Sequence, residues 1–261
     1  FSSIDDFRNQ TESLRGVLTG ELRIGIVDNT VTDPESPLVE AIRRFSKRAN
    51  SVHIRFTIDP PMSLQRQLID RQLDIAVLGF AQMLPNLRYQ PLYVERTALY
   101  CGNHHALFSR DEADVRLEDV QKAPFASRGY WRNQDTHRLG TSSAATVDQM
   151  EPLLMLILSG AFIGYLPVHY AQHWVSQGRL KPLLEQELSY GSQFHLATRK
   201  GLRMTPLTKA FVKDVRSTIA GRGAAPGDPT TRLDPLYSWQ PQGSAPARAG
   251  SHPVRTAEAV G

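Results

Sequence analysis

Cysteine and long apolar runs are nearly absent from this chain of 261 residues. Cys101 is the only cysteine, so an intramolecular disulfide framework is excluded, and with it a small disulfide-stapled extracellular scaffold. The most apolar stretch covers residues 153–158 and ends at Ser159 and Gly160, whereas a membrane-spanning helix needs about 18 or more apolar residues in a row. The sequence therefore predicts a protein that does not span a membrane.

Neither sign of charge dominates the composition. The chain has 30 Lys and Arg residues against 26 Asp and Glu, a net charge of +4, and the basic residues are scattered among acidic ones. A surface that binds nucleic acid directly usually has a clustered basic face, which this pattern does not predict. The apolar fraction of 41% can fill a sizeable core, and the length fits one large domain or two small lobes.

The common nucleotide-binding and hydrolase motifs are missing as well. The chain has no G-x-G-x-x-G after a strand, no G-x-x-x-x-G-K-[ST] and no G-x-S-x-G. Cys101 with His104 or His105 could form a nucleophilic pair, but a strand cysteine is more often buried and unreactive. We therefore predict no enzymatic activity and no cofactor.

Two histidines have the spacing of a metal-binding pair. His169 and His173 lie four residues apart on a predicted helix, so both imidazoles can face one side. Position 170 is Tyr rather than the glutamate of a zinc protease, and the sequence indicates no third ligand. The favoured interpretation is a pair of exposed or packing histidines, without a metal.

Between residues 21 and 220, patterns typical of strands alternate with patterns typical of helices. Strand patterns cover residues 22–27, 52–58, 74–79, 92–102, 162–166 and 193–198. The first three strands have helices between them, which predicts a mainly parallel sheet with helices on its faces. No long helix lies between residues 78 and 117. We therefore expect two α/β lobes joined by strands crossing near 80–100 and 190–200, rather than one continuous sheet.

Capping signals precede two of the predicted helices. Ser36 followed by Pro37 is typical of an N-cap and the first helical position. Thr146 and Gln149 have the spacing of a capping box directly before Met150. Both helices would then begin with their first backbone N–H groups satisfied by a side chain of the same segment.

The two ends of the chain differ from its middle. An apolar stripe at heptad-like spacing comprises Ile4, Phe7, Thr11, Leu14 and Leu18. Such a short helix needs a partner surface, which is either its own domain or a second subunit. At the other end, residues 221–261 contain six of the 17 prolines and six of the 18 glycines, so we expect a mostly disordered tail.

Four turns that follow strands are rich in hydroxyl and amide groups. They cover residues 28–32, 60–63, 127–130 and 146–148. Helix N-termini carry unpaired N–H groups and partial positive charge, and in an open α/β sheet they gather at the carboxyl edge of the strands. Ordinary capping explains each turn singly. Together, they predict a cleft for a small polar or anionic ligand.

Four segments resemble the effector-binding domain of LysR-type transcriptional regulators. They are residues 20–25 (GELRIG), 68–76 (LIDRQLDIA), 158–167 (LSGAFIGYLP) and 178–180 (GRL). Arg71 and Phe162 stand where the family usually has glycine. The segments have the family's order and spacing, and the resemblance extends over residues 20–220.

The resemblance implies a two-lobed fold like that of type II periplasmic binding proteins, with Rossmann-like lobes joined by crossover strands. Residues 1–19 would be the end of a linker helix that pairs two subunits, and residues 20–220 the effector-binding domain. Lobe I would comprise about residues 20–95 and 195–220, and lobe II about residues 96–194. We expect the DNA-binding helix-turn-helix domain of such a regulator to lie outside this chain.

The resemblance and the four turns together give a set of expected ligand-binding residues. They are Asn29, Thr30, Thr32, Ser63, Gly79, Phe80, Ser127, Arg128, Tyr130, Thr146 and Val147. The aromatic rings of Phe80 and Tyr130 favour an effector with an apolar or aromatic part, and Arg128 favours an anionic one. Neither Thr30 nor Arg128 is expected in the core.

The function implied is that of a ligand-sensing regulatory domain in a bacterial cytoplasmic transcription regulator. A small-molecule effector would shift the arrangement of a dimer or tetramer, and DNA would be bound only through the helix-turn-helix domain. One alternative is a periplasmic solute-binding protein of the same fold. Another is a small α/β enzyme that uses Cys101 or the histidines.

Overall fold

A computed structural model describes residues 18–49, 51–79, 82–130 and 132–221, with residues 132–134 described by their backbone only. Phe80, the tail from residue 222 onward and the N-terminal stripe apart from Leu18 lie outside these ranges. Leu18 packs against the first hydrophobic core, and the first strand begins at Thr19. Within the described ranges, none of the helices has both the length and the apolar character needed to cross a bilayer.

The described residues form a mixed α/β structure, as the alternating patterns predict. The strands are β1 (Thr19–Ile26), β2 (Ser51–Ile58), β3 (Ile75–Gly79), β4 (Leu87–Gly102), β5 (Phe125–Arg128), β6 (Ser143–Val147), β7 (Ile163–Pro167), β8 (Leu180–Pro182) and β9 (Tyr190–Arg199). The α-helices are α1 (Leu38–Ser46), α2 (Pro61–Ile69), α3 (Leu117–Lys122), α4 (Arg132–Leu139), α5 (Met150–Leu158), α6 (Val168–Ser176), α7 (Glu185–Leu188) and α8 (Pro206–Gly221).

The strands follow one hydrogen-bonded path in the order β2-β1-β3-β9-β4-β7-β5-β6, with β8 also paired to β4. β1 is parallel to β2 and β3, and β5 is parallel to β6 and β7. The strands thus form one continuous sheet, which the sequence pattern did not predict, whereas the crossover strands expected near 80–100 and 190–200 are present as β4 and β9. The long strands β4 and β9 pair antiparallel with each other, and they also pair with β7 and β3 respectively. The crossover strands thus belong to both halves.

Apolar packing, in contrast, separates at the crossover strands. One core lies around β1 and β3 with α1, α2 and α8, and its members include Phe45 and Phe211, whose rings meet edge to face at 5.5 Å. Two further cores lie on the β7 side of β4. Along β4 the change from one core to the others falls between Tyr93 and Ala98. The sheet is continuous, but its two halves are packed independently.

Local backbone geometry corrects both capping predictions. α1 begins at Leu38 with Pro37 as its N-cap, so Pro37 precedes the first helical position and Ser36 makes no cap. Thr146 belongs to β6, and α5 has Gln149 as its N-cap without a side-chain cap bond from that residue. The predicted capping box requires Thr146 at the N-cap, but β6 continues to Val147 and the N-cap of α5 is Gln149.

Arg71 has a φ of 62°, in the left-handed region. This is the position at which the resembled family usually has glycine, the residue that adopts this conformation most readily. The turn between α2 and β3 is therefore kept although a side chain is present.

Candidate functional site

A small cleft lies where the crossover strands meet the carboxyl ends of β1, β3 and β5. Its lining residues come from both halves of the sheet: Val27, Asp28, Pro61, Gly79, Glu95, Arg128, Tyr130, Met150, Ser192 and Phe194. An open α/β sheet places the residues that follow its strands at this edge. We call this the junction cleft.

Arg128 is the buried cation of the junction cleft. It ends β5, and only 4% of its surface is exposed. Its Nη1 donates to the hydroxyl of Tyr130 at 3.4 Å, and its guanidinium carbon lies 5.4 Å from the centre of that ring. Burial lowers the pKa of the guanidinium, but the surrounding acidic groups, Tyr130 foremost, outweigh burial and raise the pKa above its usual value. Arg128 is therefore a permanent positive charge in this cleft.

Asp28 joins the two halves of the cleft. It lies between β1 and the one-turn 3-10 helix of residues 30–32, and its Oδ2 accepts a hydrogen bond from the backbone N–H of Met150 at 2.5 Å. Met150 is the first residue of α5. A carboxylate at this position satisfies one of the N–H groups that a helix leaves unpaired and complements the helix dipole. The cap that Thr146 was predicted to give comes instead from a residue 122 positions away.

Glu95 connects the cleft to a buried group of titratable side chains. Its Oε1 lies 3.2 Å from Nε2 of His169, which in turn lies 3.6 Å from Oδ2 of Asp33. Burial raises the pKa of the Asp33 carboxyl. The pKa of Tyr93 is raised well above its usual value by burial and by the negative charges of Glu95 and Asp33. Carboxyl groups and the Arg128 guanidinium therefore both lie at or beside the cleft.

Three of the expected ligand-binding residues line the junction cleft: Gly79, Arg128 and Tyr130. Gly79 ends β3, and a side chain there would place its Cβ 3.0 Å from the Phe194 ring. The glycine therefore permits the close approach of β3 and that ring. Phe80 lies outside the described residues.

The three expected residues of the first turn have local hydrogen-bonding roles. Thr30 is buried, and its hydroxyl donates to the carbonyl of Val27 at 2.8 Å. The hydroxyl of Thr32 lies within hydrogen-bond distance of both the Asn29 carbonyl and Nδ1 of His169. Asn29 has a φ of 62°, which begins the turn. The expectation that neither Thr30 nor Arg128 lies in the core is wrong, because Thr30 is buried in the 3-10 turn after β1 and Arg128 is buried at the end of β5.

The remaining expected residues do not line the junction cleft. Ser63 faces a shallow depression on α2, where its hydroxyl accepts from Nε2 of Gln67 at 3.1 Å. Ser127 is buried, with its hydroxyl 2.7 Å from that of Ser143. Thr146 is exposed on β6, and the carbonyl of Val147 accepts a hydrogen bond from Gly129.

Several lining residues were not among the expected ones. Asp28 was identifiable in principle, because it lies two residues after the end of β1 in a turn already chosen for its polar residues. Glu95 and Ser192 lie opposite each other on β4 and β9. They lie within strands rather than after them, and only the pairing of the crossover strands brings them to the cleft. A search for polar residues at strand ends does not find such positions.

Cys101 is buried within β4, which agrees with the unreactive interpretation. Burial raises the pKa of its thiol to about 11. A nucleophilic cysteine needs the opposite shift, because the thiolate is the reactive form.

Sequence comparisons agree on one family. A model described as the LysR substrate binding domain matches residues 15–220. The HTH-type transcriptional activator BauR of Pseudomonas aeruginosa is 34% identical to this chain over 217 residues, which are 82% of this chain and 71% of BauR.

Three solved structures illustrate the similarity of fold. The effector-binding domain of QuiR in complex with shikimate has a TM-score of 0.66 and 15% identity, and covers 78% of this chain and 98% of its own. The regulatory domain of CcmR from Synechocystis PCC6803 in complex with 2-PG has a TM-score of 0.64 and 14% identity. The match covers 77% of this chain and 98% of the CcmR chain. Full-length CbnR complexed with its target DNA has a TM-score of 0.58 and 14% identity. The match covers 77% of this chain and 69% of the CbnR chain.

Proposed function

Because this chain belongs to the LysR substrate-binding domain family and contains the effector-binding domain of a LysR-type transcriptional regulator, we propose that the junction cleft is its effector site. The observation that carries the proposal is a buried cation, Arg128, in a small cleft lined by residues of both packed halves. A ligand held there contacts both halves at once. The structures of QuiR with shikimate and CcmR with 2-PG are examples of this fold binding small molecules.

The lining residues define the chemistry of the effector. Arg128 offers a planar guanidinium, which binds a carboxylate or another planar anion through paired hydrogen bonds. Asp28 and Glu95 offer acceptors, which require hydroxyl or ammonium donors on the ligand. The rings of Tyr130 and Phe194 supply an apolar wall. The chemistry of the lining therefore matches a small organic acid that also carries donor groups. The cavity itself is only about 20 Å³, so the two halves would move apart when such a ligand enters.

The regulatory step follows from the hydrogen bond between Asp28 and Met150. An anionic effector near the start of α5 competes with the Asp28 carboxylate for the helix N-terminus. An effector that binds one arrangement of the two halves more tightly shifts the population toward that arrangement. The shift would reach DNA through a helix-turn-helix domain, and in this proposal the cleft binds the effector without changing it chemically. Family membership favours this regulator over a periplasmic solute-binding protein, and as a DNA-binding regulator it would act in the bacterial cytoplasm.

The chain also carries a surface suited to self-association. β2 lies at one end of the strand order, and Phe56 and Ile58 on it are 42% and 54% exposed. Met62 and Ile69 on α2 are exposed as well. Apolar side chains on an edge strand favour pairing with another chain. We propose that this surface contributes to a dimer or tetramer.

A thermal-shift screen of small organic acids tests the proposed effector class. The library should contain simple carboxylates, hydroxy acids and amino acids, with matched amides and esters in which the acid is neutralised. We expect at least one acid with donor groups to raise the melting temperature and its amide to have no effect. If neutral analogues stabilise the protein as well as the acids do, the assignment of Arg128 as the anion-binding group is wrong.

A further inference from the structure

Three potential metal ligands from distant parts of the chain converge beside the junction cleft. Asp33 follows the 3-10 turn after β1, Glu95 lies on β4 and His169 lies in the first turn of α6. Their side chains are only 4%, 7% and 10% exposed. We call these residues the buried triad. Burial of two carboxylates and one imidazole in a single place is costly unless a cation is shared among them.

The spacing of the donor atoms suits a metal ion. Nε2 of His169 lies 3.2 Å from Oε1 of Glu95 and 3.6 Å from Oδ2 of Asp33, and all three atoms lie within 4.8 Å of one another. Around a tetrahedral ion with bonds of 2.0–2.2 Å, the donors stand about 3.3–3.6 Å apart. The two distances to His169 are therefore close to those that a bound ion requires, and the two carboxylate oxygens lie within 4.8 Å of each other.

Hydrogen bonds around the triad orient the imidazole for metal binding. The hydroxyl of Thr32 lies 3.0 Å from the carbonyl of Asn29 and 2.8 Å from Nδ1 of His169. A hydroxyl has one proton, so when Thr32 donates to Asn29 it accepts from Nδ1–H. Nε2 then carries the lone pair and faces the two carboxylates. A metal-binding histidine characteristically donates its other ring N–H to an oxygen in this way.

Asp33 supplies an independent indication that a ligand is needed. Its Oδ1 accepts a hydrogen bond from the backbone N–H of Glu35 at 2.8 Å. Its Oδ2 is buried and has no hydrogen-bond partner among the described residues, and it is the oxygen that faces His169. Buried carboxylate oxygens are rarely left without a donor or a cation.

We propose that Asp33, Glu95 and His169 bind a divalent transition-metal ion at the junction of the two halves. One nitrogen and two oxygen donors suit Zn²⁺ or Mn²⁺ better than ions that prefer thiolates. The ion would tie the turn after β1 to α6 across β4. Its binding does not require the effector, although it would fix the position of Glu95 in the junction cleft.

Isothermal titration of the metal-free full chain with Zn²⁺, Mn²⁺ and Mg²⁺ tests the proposal. We expect one high-affinity Zn²⁺ or Mn²⁺ ion per chain, weak or no binding of Mg²⁺, and a visible absorption spectrum when Co²⁺ is bound. His169→Gln should weaken binding by about 10–100-fold or more. Glu95→Gln should weaken it as well, and unliganded melting curves will verify that both variants are folded.

The matched control lies on the same helix. His173 is exposed on α6, where its ring contacts Trp174 and Gln177 rather than the triad. His173→Gln should therefore bind the ion as tightly as the unmodified chain. The proposal is overturned if none of the ions binds at one per chain. In that case the cation shared by the three buried side chains would be a proton rather than a metal ion. The proposal is equally overturned if His169→Gln and His173→Gln have the same effect, which would indicate adventitious surface binding.

Discussion

The carboxylate of Asp28 caps the helix that begins at Met150, through a hydrogen bond of 2.5 Å between its Oδ2 and the Met150 N–H. Asp28 follows β1 on one side of the crossover strands, and α5 belongs to the core on the other side. The contact therefore joins two separately packed halves at the cleft proposed to bind the effector. An effector that displaces Asp28 would change how these halves are held together.

Replacing Asp28 should destabilise the unliganded protein in a graded manner. Asp28→Ala removes the cap and should lower the free energy of unfolding by about 1 kcal/mol. Asp28→Asn keeps an acceptor oxygen, so it should lower the free energy of unfolding by less. Urea denaturation measures both changes. Asp111→Asn, at an exposed position without a side-chain cap bond, is the control. Equal stability of Asp28→Ala and the unmodified protein would show that the contact contributes little.

Thr30 should be required for stability rather than for ligand contact. Its buried hydroxyl donates to the carbonyl of Val27, and Thr30→Val preserves the shape while removing that donor. A buried acceptor left without its donor costs about 1–3 kcal/mol. Thr30→Ser keeps the hydroxyl donor, so its free energy of unfolding should fall much less. Thr146→Ala, at an exposed position, should change the free energy of unfolding by no more than about 0.5 kcal/mol. Similar urea midpoints for Thr30→Val and Thr146→Ala would contradict this assignment.

The raised pKa of the Cys101 thiol predicts how the stability of the folded chain changes with pH. Burial raises the pKa of its thiol from 9.0 to about 11, so the folded chain retains the proton more strongly than the unfolded chain. The stability associated with this difference is present below pH 9 and is lost as the pH rises toward 11. Unfolding measured across this range should show a steeper loss for the unmodified chain than for Cys101→Ala. Identical pH dependence of the two would contradict a raised pKa.

A further consequence is that Cys101 should react slowly with thiol reagents in the folded state. The thiolate fraction is small at neutral pH and the side chain is buried. Labelling with iodoacetamide, followed by mass spectrometry, should proceed only after denaturant is added. Rapid labelling of the folded chain at neutral pH would revive the nucleophile interpretation.

Self-association through the β2 surface can be tested by adding charge to it. Phe56→Lys and Ile58→Lys should shift the sedimentation profile toward monomer, because burying a lysine in an apolar interface is costly. Met155→Lys is the matched control, since Met155 is an exposed apolar residue on α5. Sedimentation velocity that shows the same species for all three variants would place the interface elsewhere.

Much of the fold was predictable from local patterns, whereas the site was predictable only in part. Strand and helix periodicities are properties of neighbouring residues, so the strand expected at 162–166 overlaps β7, and the predicted helix that carries His169 and His173 is α6. Strand ends were also identifiable, and the predicted ligand residues Gly79 and Arg128 end β3 and β5 and line the junction cleft. Their contact with an effector stays a prediction.

The unpredicted features depend on contacts between distant residues. No local pattern relates Asp28 to Met150, or Glu95 to His169, because the crossover strands bring these pairs together. Ser63 was chosen from its place after β2, but its side chain turns along α2 toward Gln67. Thr146 was read as a cap because the sequence does not reveal that β6 continues to Val147. Local sequence patterns therefore do not predict which side chains point into the cleft, because their direction depends on contacts between distant residues.

The role of Arg128 is tested most directly by calorimetric titration of the stabilising acid from the screen into the unmodified chain and Arg128→Lys. Lysine keeps the charge but removes the planar fork, so binding should weaken about 10- to 100-fold through loss of charged hydrogen bonds. Arg88→Lys, on an exposed part of β4, should bind the acid normally. Equal affinity of folded Arg128→Lys and the unmodified chain would contradict the assignment of the junction cleft as the effector site.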